Sequence, residues 1–293
     1  TGSVRSSSST SGVVGSLAAA RSVVRIARPN EVSTTVAPCS WARRAQVKAI
    51  EEEVSTPVTS TVLPSSSTAV ASHTVLDAVL FDLDGTLTDP AVGITGSFRH
   101  ALASVGHPVA DDVDLTWMIG PPLRDNFARH GLPEPLHADA VLAFRARHTA
   151  TGLFEATLIP GIEAVLDGLA ADGVTVGLAT AKPTEQARTT LDHFGLADRF
   201  AVVAGGVADG LPRSKAMIVG DALAQLAEVG LRDPSRMAMV GDRRHDVEGG
   251  RAHGVTTVAV GWGYAQPDEW ADIEPHHQAT DPVELLALLR SLP

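Results

Sequence analysis

Leu76, Ala78, Val79, Leu80 and Phe81 form an apolar run that stops at Asp82 and Asp84. A run this short, without polar alternation, predicts a strand buried on both faces. Similar runs recur at 174–179, 200–204, 237–240 and 255–260. Between them the apolar residues fall at helical spacing. Ile162, Val165, Leu166 and Leu169 share one face, Met217, Ile218, Ala222 and Leu226 another, and 184–194, 247–253 and 282–289 read as further helices. Strands alternating with helices make βαβ units, so the predicted fold class is α/β, a parallel sheet with helices on both faces. Residues 91–158 break this rhythm. They hold helical spacing (Ile94, Phe98, Ala101, Leu102 and Val105, then 125–130 and 136–149) but no strand signal, and predict a small helical insertion.

Composition adds a boundary. Up to residue 50 the sole acidic residue is Glu31, against Arg5, Arg21, Arg25, Arg28, Arg43, Arg44 and Lys48, and serine and threonine are dense. That is the signature of an organelle transit peptide and equally of a disordered extension. Residues 55–72, rich in Ser, Thr, Pro and Val, read as an extended linker. The domains expected are thus a leader and linker over 1–72, a core over 73–90 and 159–293, and a helical insertion over 91–158. The formal net charge of −11 excludes nucleic acid as a general partner. The single cysteine, Cys39, excludes a disulfide framework. No apolar run approaches the roughly 20 residues of a membrane span. The expected location is the cytoplasm, or a plastid if the leader is a transit peptide.

Right-handed crossovers place the C-terminal ends of parallel strands on one edge, where open α/β sheets bind ligands. That edge gathers unusual residues. Asp82 and Asp84, at positions i and i+2, start on the same face of their strand. Thr180 and Lys182 follow the second strand, and Asp242 and Asp246 follow the fourth, spaced to share a helix face. Lys215 opens a helix after a loop with Gly205, Gly206 and Gly210. Clustered carboxylates repel unless protonated or neutralised, and a hard divalent cation such as Mg2+ relieves them. A lysine and a threonine hydroxyl suit a phosphoryl group.

In that order these motifs resemble the haloacid dehalogenase superfamily phosphatases: Asp82-Leu83-Asp84-Gly85-Thr86, then Thr180, Lys215, and Gly241-Asp242-Arg243-Arg244-His245-Asp246. The resemblance covers about 73–293 and implies a Rossmann-like core, with the insertion as a helical cap. The sequence around Gly120-Pro121-Pro122-Leu123-Arg124 is similar to the phosphoglycolate phosphatase and 5'-nucleotidase branch. The resemblance implies a Mg2+-dependent phosphomonoesterase acting on a small phosphorylated metabolite such as phosphoglycolate or a nucleoside or sugar monophosphate. Asp82 would be the nucleophile, forming an aspartyl-phosphate, and Asp84 the acid and base. Thr180 and Lys215 would bind the phosphoryl oxygens. Mg2+ would take the Asp82 and Asp242 carboxylates and the Asp84 carbonyl, with Asp246 as a further ligand or orienting a bound water. Lys182 is a candidate to line the phosphate site, or else an exposed helix-start lysine. Arg124 is a candidate to reach substrate from the insertion. A phosphomutase of the β-phosphoglucomutase kind shares the quartet and remains an alternative, as does a non-catalytic module. Oligomeric state is not legible.

Overall fold

The computed structural model describes residues 76–207 and 213–292. The leader and linker read over 1–72, and Gly210, lie outside the described residues. A six-stranded sheet runs in the order β5-β4-β1-β6-β7-β8. Its strands are β1 (Ala78–Phe81), β4 (Thr175–Pro183), β5 (Val202–Gly206), β6 (Met237–Gly241), β7 (Thr256–Val260) and β8 (His277–Ala279), and every pairing is parallel. β1 lies between β4 and β6, in register Leu80–Gly177 on one side and Leu80–Met239 on the other. The chain builds outward from β1 to β5, returns across it to β6, and then builds outward again. β1 is therefore the switch point of the sheet, the place where loops part and leave a crevice.

The alternation of β1 divides the core. Ala78 and Leu80 point to the face covered by α6 (Lys215–Glu228), with Ile218, Val219, Ala222 and Leu226 packed beneath them. On the other face α4 (Ile162–Ala171) packs against α8 (Pro282–Ser291). The fit there is close, since a Cβ at Gly168 would come within 2.6 Å of Leu286. The remaining helices of the sheet are α5 (Thr184–His193) and α7 (Arg244–Ala252).

The insertion forms its own apolar cluster. Helices α1 (Ala91–Ser104), α2 (Leu123–His130) and α3 (His137–Ala150) bury Phe98, Leu102, Met118, Phe127 and Phe144 together. The Phe98 ring meets Phe127 edge-on at 5.2 Å and Phe144 at 4.8 Å. Two strands of two residues each, β2 (Thr88–Asp89) and β3 (Thr157–Leu158), pair antiparallel where the chain enters and leaves this block. Among the described residues no helix is long and apolar enough to cross a membrane.

Candidate functional site

Asp82 follows β1 directly, and its backbone N–H still donates to Val240 O at 2.9 Å, so the last ladder bond of β1 fixes where its side chain begins. Gly85 then turns the chain with φ +88°. A Cβ there would stand 2.3 Å from Asp242 Oδ2, so only glycine lets the β1 loop lie against the β6 loop. Across that contact Thr86 Oγ1 donates to Asp242 Oδ1 at 3.4 Å.

The β6 side is built with the same economy of space. Asp246 lies in the first turn of α7 and accepts the Arg243 N–H at 3.0 Å, satisfying a donor that the helix start would otherwise leave open. A Cβ at Gly241 would sit 2.1 Å from that carboxylate. Asp242 is 1% and Asp246 2% exposed. The side chain of Lys215, at the start of α6 just after the Ser214 cap, reaches between the two strands. Its ammonium lies 2.8 Å from Asp82 Oδ1 and 2.7 Å from Asp246 Oδ1.

A second cation faces the other carboxylate. Lys182 Nζ is 2.8 Å from both oxygens of Asp84, and its side chain is 6% exposed. The lysine is thus buried beside Asp84, not exposed at a helix start. The pairing of β4 with β5 shifts register between Thr180 and Pro183. Gly205 and Gly206 give the irregular backbone room, since a Cβ on them would be 2.6 Å from Lys182 O and 2.5 Å from Ala181 O. Thr180 stays on the same face as Lys182, 2% exposed, with its Oγ1 accepting the Lys182 N–H at 3.3 Å.

Charge balance in the cluster is uneven. Asp82, Asp242 and Asp246 offer oxygens that all lie within 4.8 Å of one another. Burial, reinforced by Asp246 and Asp82, pushes Asp242 up to about 8. Burial also raises Asp246 to about 6, against the pull of Lys215. Burial works to lower Lys215, but Asp246 and Asp82 outweigh it and hold the ammonium charged above its ordinary range. One ammonium among three buried carboxylates leaves an excess of negative charge. An all-oxygen donor set of this spacing fits a hard divalent cation.

The sequence reading missed several supporting residues. Tyr264 donates its backbone N–H to Asp242 Oδ2 at 2.7 Å, and the Trp262 indole donates to Thr86 O at 3.1 Å. Glu269 accepts from Arg243 Nε at 3.0 Å and from the Arg244 N–H at 2.9 Å. The signal for Trp262 and Tyr264 in the sequence was the glycine-flanked Gly261-Trp262-Gly263-Tyr264 directly after β7, and Glu269 carried none. His245 is exposed beside Glu248, and Trp117 lies under the Arg129 guanidinium. Arg124 stands exposed at the start of α2, lining a cavity of about 420 Å3 with Asp125, Ala128, Leu132, Glu134 and His137. No hydrogen bond or ion pair among the described residues joins Arg124 to the carboxylates.

The family model described as haloacid dehalogenase-like hydrolase matches residues 79–260. The chain is 45% identical over 190 residues to a protein of Mycobacterium tuberculosis (strain H37Rv) named tyrosine-protein kinase PtkA, covering 65% of this chain and 64% of that one. The match thus spans less than two thirds of that relative's length. It is 37% identical over 214 residues to a 5'-nucleotidase of Pseudomonas aeruginosa, covering 73% of this chain and 95% of that protein. A solved haloacid dehalogenase-like family hydrolase from Streptococcus pneumoniae superposes with TM-score 0.67 at 29% identity, covering 73% of this chain and 99% of that one.

Proposed function

The chain belongs to the haloacid dehalogenase-like hydrolase family, and from that premise we propose that it is a Mg2+-dependent phosphomonoesterase with Asp82 as nucleophile and Asp84 as acid and base. The observation that carries this reading is the separation of two carboxylates two residues apart. Asp82 sits against Lys215 in the buried acidic cluster, whereas Asp84 faces Lys182 and accepts the Thr88 hydroxyl at 3.4 Å. Adjacent groups of one type, given different partners, can take different roles.

Asp82 attacks phosphorus in line. A bond from its carboxylate oxygen to phosphorus forms as the ester P–O bond breaks, and Asp84 delivers a proton to the leaving oxygen. Asp84 then takes a proton from the water that hydrolyses the aspartyl-phosphate. Lys182 can move from Asp84 to a phosphoryl oxygen as substrate enters, which releases Asp84 to carry that proton. Thr180 and Lys215 hold the remaining phosphoryl oxygens, and Asp246 fixes Lys215 in place. Asp82, Asp242, Asp246 and the Asp84 carbonyl would hold Mg2+, which supplies charge neutralisation at the phosphoryl group. The helical block 91–158 acts as the cap that selects the leaving group. Similarity to a protein named 5'-nucleotidase supports a small phosphorylated metabolite as substrate.

The test is phosphate release from nucleoside 5'-monophosphates, phosphoglycolate and sugar phosphates, with Mg2+ or with EDTA. Release from one class, abolished by EDTA and reduced roughly a thousand-fold or more in Asp82→Asn, is the expected result. Conversion of a sugar phosphate to its isomer without phosphate release would establish the mutase reading instead. A second reading has its own observation, the 45% identity to a protein named tyrosine-protein kinase. The aspartyl-phosphate would then pass to a tyrosine hydroxyl in place of water, and phosphotyrosine on an acceptor protein, with little free phosphate, is its signature.

A further inference from the structure

The segment after β7 clasps Asp242. Trp262 holds the Thr86 carbonyl, a Cβ at Gly263 would stand 2.2 Å from Asp242 Cβ, and Tyr264 gives its N–H to Asp242 Oδ2 at 2.7 Å. The same tyrosine belongs to the helical block as well. The residue, 8% exposed, joins the apolar cluster of Ile94, Phe98, Met118 and Phe127. Its hydroxyl donates to Asp89 Oδ1, which also accepts the Ala91 N–H at 3.0 Å. Asp89 lies in β2, the strand that leads out of the Asp82–Asp84 loop, and Ala91 opens α1. A parallel tie runs from the residue beside Asp242: Arg243 Nη1 donates to Ile119 O, within the block, while Glu269 grips the rest of its guanidinium.

We infer that Tyr264 is a positioning residue that makes the placement of the Asp242 carboxylate depend on the placement of the helical block. The inference rests on the metal-dependent reading above. Losing a donor that orients a metal ligand typically costs about 10–100-fold in affinity for the cation. Here the donor is a backbone N–H whose own side chain is anchored at the entrance to the block. If the block shifts at β2, the Asp89–Tyr264 bond carries that shift to the Asp242 side.

The experiment titrates Mg2+ alone, by calorimetry, into the full chain and into Tyr264→Phe, Asp89→Ala and the double variant, with thermal melts of each. Tyr264→Phe keeps the ring and the backbone N–H and removes the hydroxyl that bonds Asp89. The inference expects each single variant to bind Mg2+ about ten-fold more weakly, and the double variant no more weakly than the singles. Melting temperatures need not follow that order, because Asp89→Ala also removes the acceptor of the Ala91 N–H. Unchanged Mg2+ affinity in the single variants, or losses that simply add in the double, overturn the inference. A wild-type chain that takes up no Mg2+ overturns the metal-dependent reading together with it. Wild-type binding that the variants leave untouched overturns this inference alone.

Discussion

Replacing Lys215 by Met removes one charge from the buried cluster while keeping a flexible apolar side chain of similar reach. In the wild type the ammonium stands 2.8 Å from Asp82 and 2.7 Å from Asp246, on a side chain 5% exposed. Without it Asp82 and Asp246 lose the ion pair they share. Removing one member of a buried ion pair costs about 3–5 kcal/mol. Part of this is recovered, because Asp242, at about 8, already holds a proton at neutral pH and Asp246, at about 6, is close to taking one. The expected net loss is therefore about 3 kcal/mol, or roughly 6–12 °C in melting temperature for a folded region of this size. The assay is urea unfolding of wild type and Lys215→Met, each with EDTA and with Mg2+. Mg2+ should restore more stability to the variant than it adds to the wild type, since the ammonium that repels a second cation is gone. On the proposed mechanism, in which Lys215 binds a phosphoryl oxygen, turnover should fall about 100-fold or more. An unfolding free energy within 1 kcal/mol of wild type, with an identical response to Mg2+, would refute the argument that Lys215 balances the cluster.

Other consequences can be checked on the same protein. Gly263→Ala should leave the fold in place but displace Asp242, because its Cβ would fall 2.2 Å from Asp242 Cβ where carbon atoms need about 3.5 Å. A shift on the order of 1 Å at a catalytic group predicts a turnover loss near 100-fold, with a stability cost of about 1–3 kcal/mol, and wild-type kinetics would sink this reading. His148 is buried, with its ring stacked on Phe144 at 5.2 Å, and burial followed by Lys182 lowers it to about 4. The unfolded chain binds this proton near 6.5 and the folded chain does not until about 4. Stability from neutral His148 is thus complete above 6.5 and falls away as pH drops towards 4, by on the order of 3 kcal/mol. Urea midpoints measured from pH 7 to pH 4.5 should decline less in His148→Gln than in wild type.

The parallel sheet was readable because each central strand is apolar on both faces and ends abruptly in polar residues, as at Phe81-Asp82 and Gly241-Asp242. β2, β3 and β8 were not. Two or three residues hold no period, and Thr88–Asp89 pairs with Thr157–Leu158 only because the intervening helices bring them together. In the site, Asp82, Asp242 and Asp246 could be picked out because strand order sends them to one edge, and Lys215 because it opens a helix after a glycine-rich loop. Lys182 could not be decided, since its burial depends on the register shift in β4 and on Gly205 and Gly206 in the neighbouring strand. Tyr264 escaped notice because its contribution to Asp242 is a backbone N–H, which every residue but proline carries. Arg124 follows Gly120-Pro121-Pro122-Leu123 in the insertion, and the structure places it with the cavity lined by Glu134 and His137.

The position of β1 also governs when the site can exist during synthesis. β1 emerges first, yet its partner β6 comes from the last third of the chain, and Thr86 meets Asp242 across 156 positions. The nascent chain can bury α1–α3 among themselves and pair β1 with β4 well before β6 has been translated. Lys215 and Asp82 can come together then, but Asp242, Asp246 and the Tyr264 clasp cannot. Long-range pairings of this kind form late and slowly. A ribosome-bound chain stopped before residue 237 should hold most of its helices but lack the carboxylate cluster, so chemistry begins only when the final strands dock.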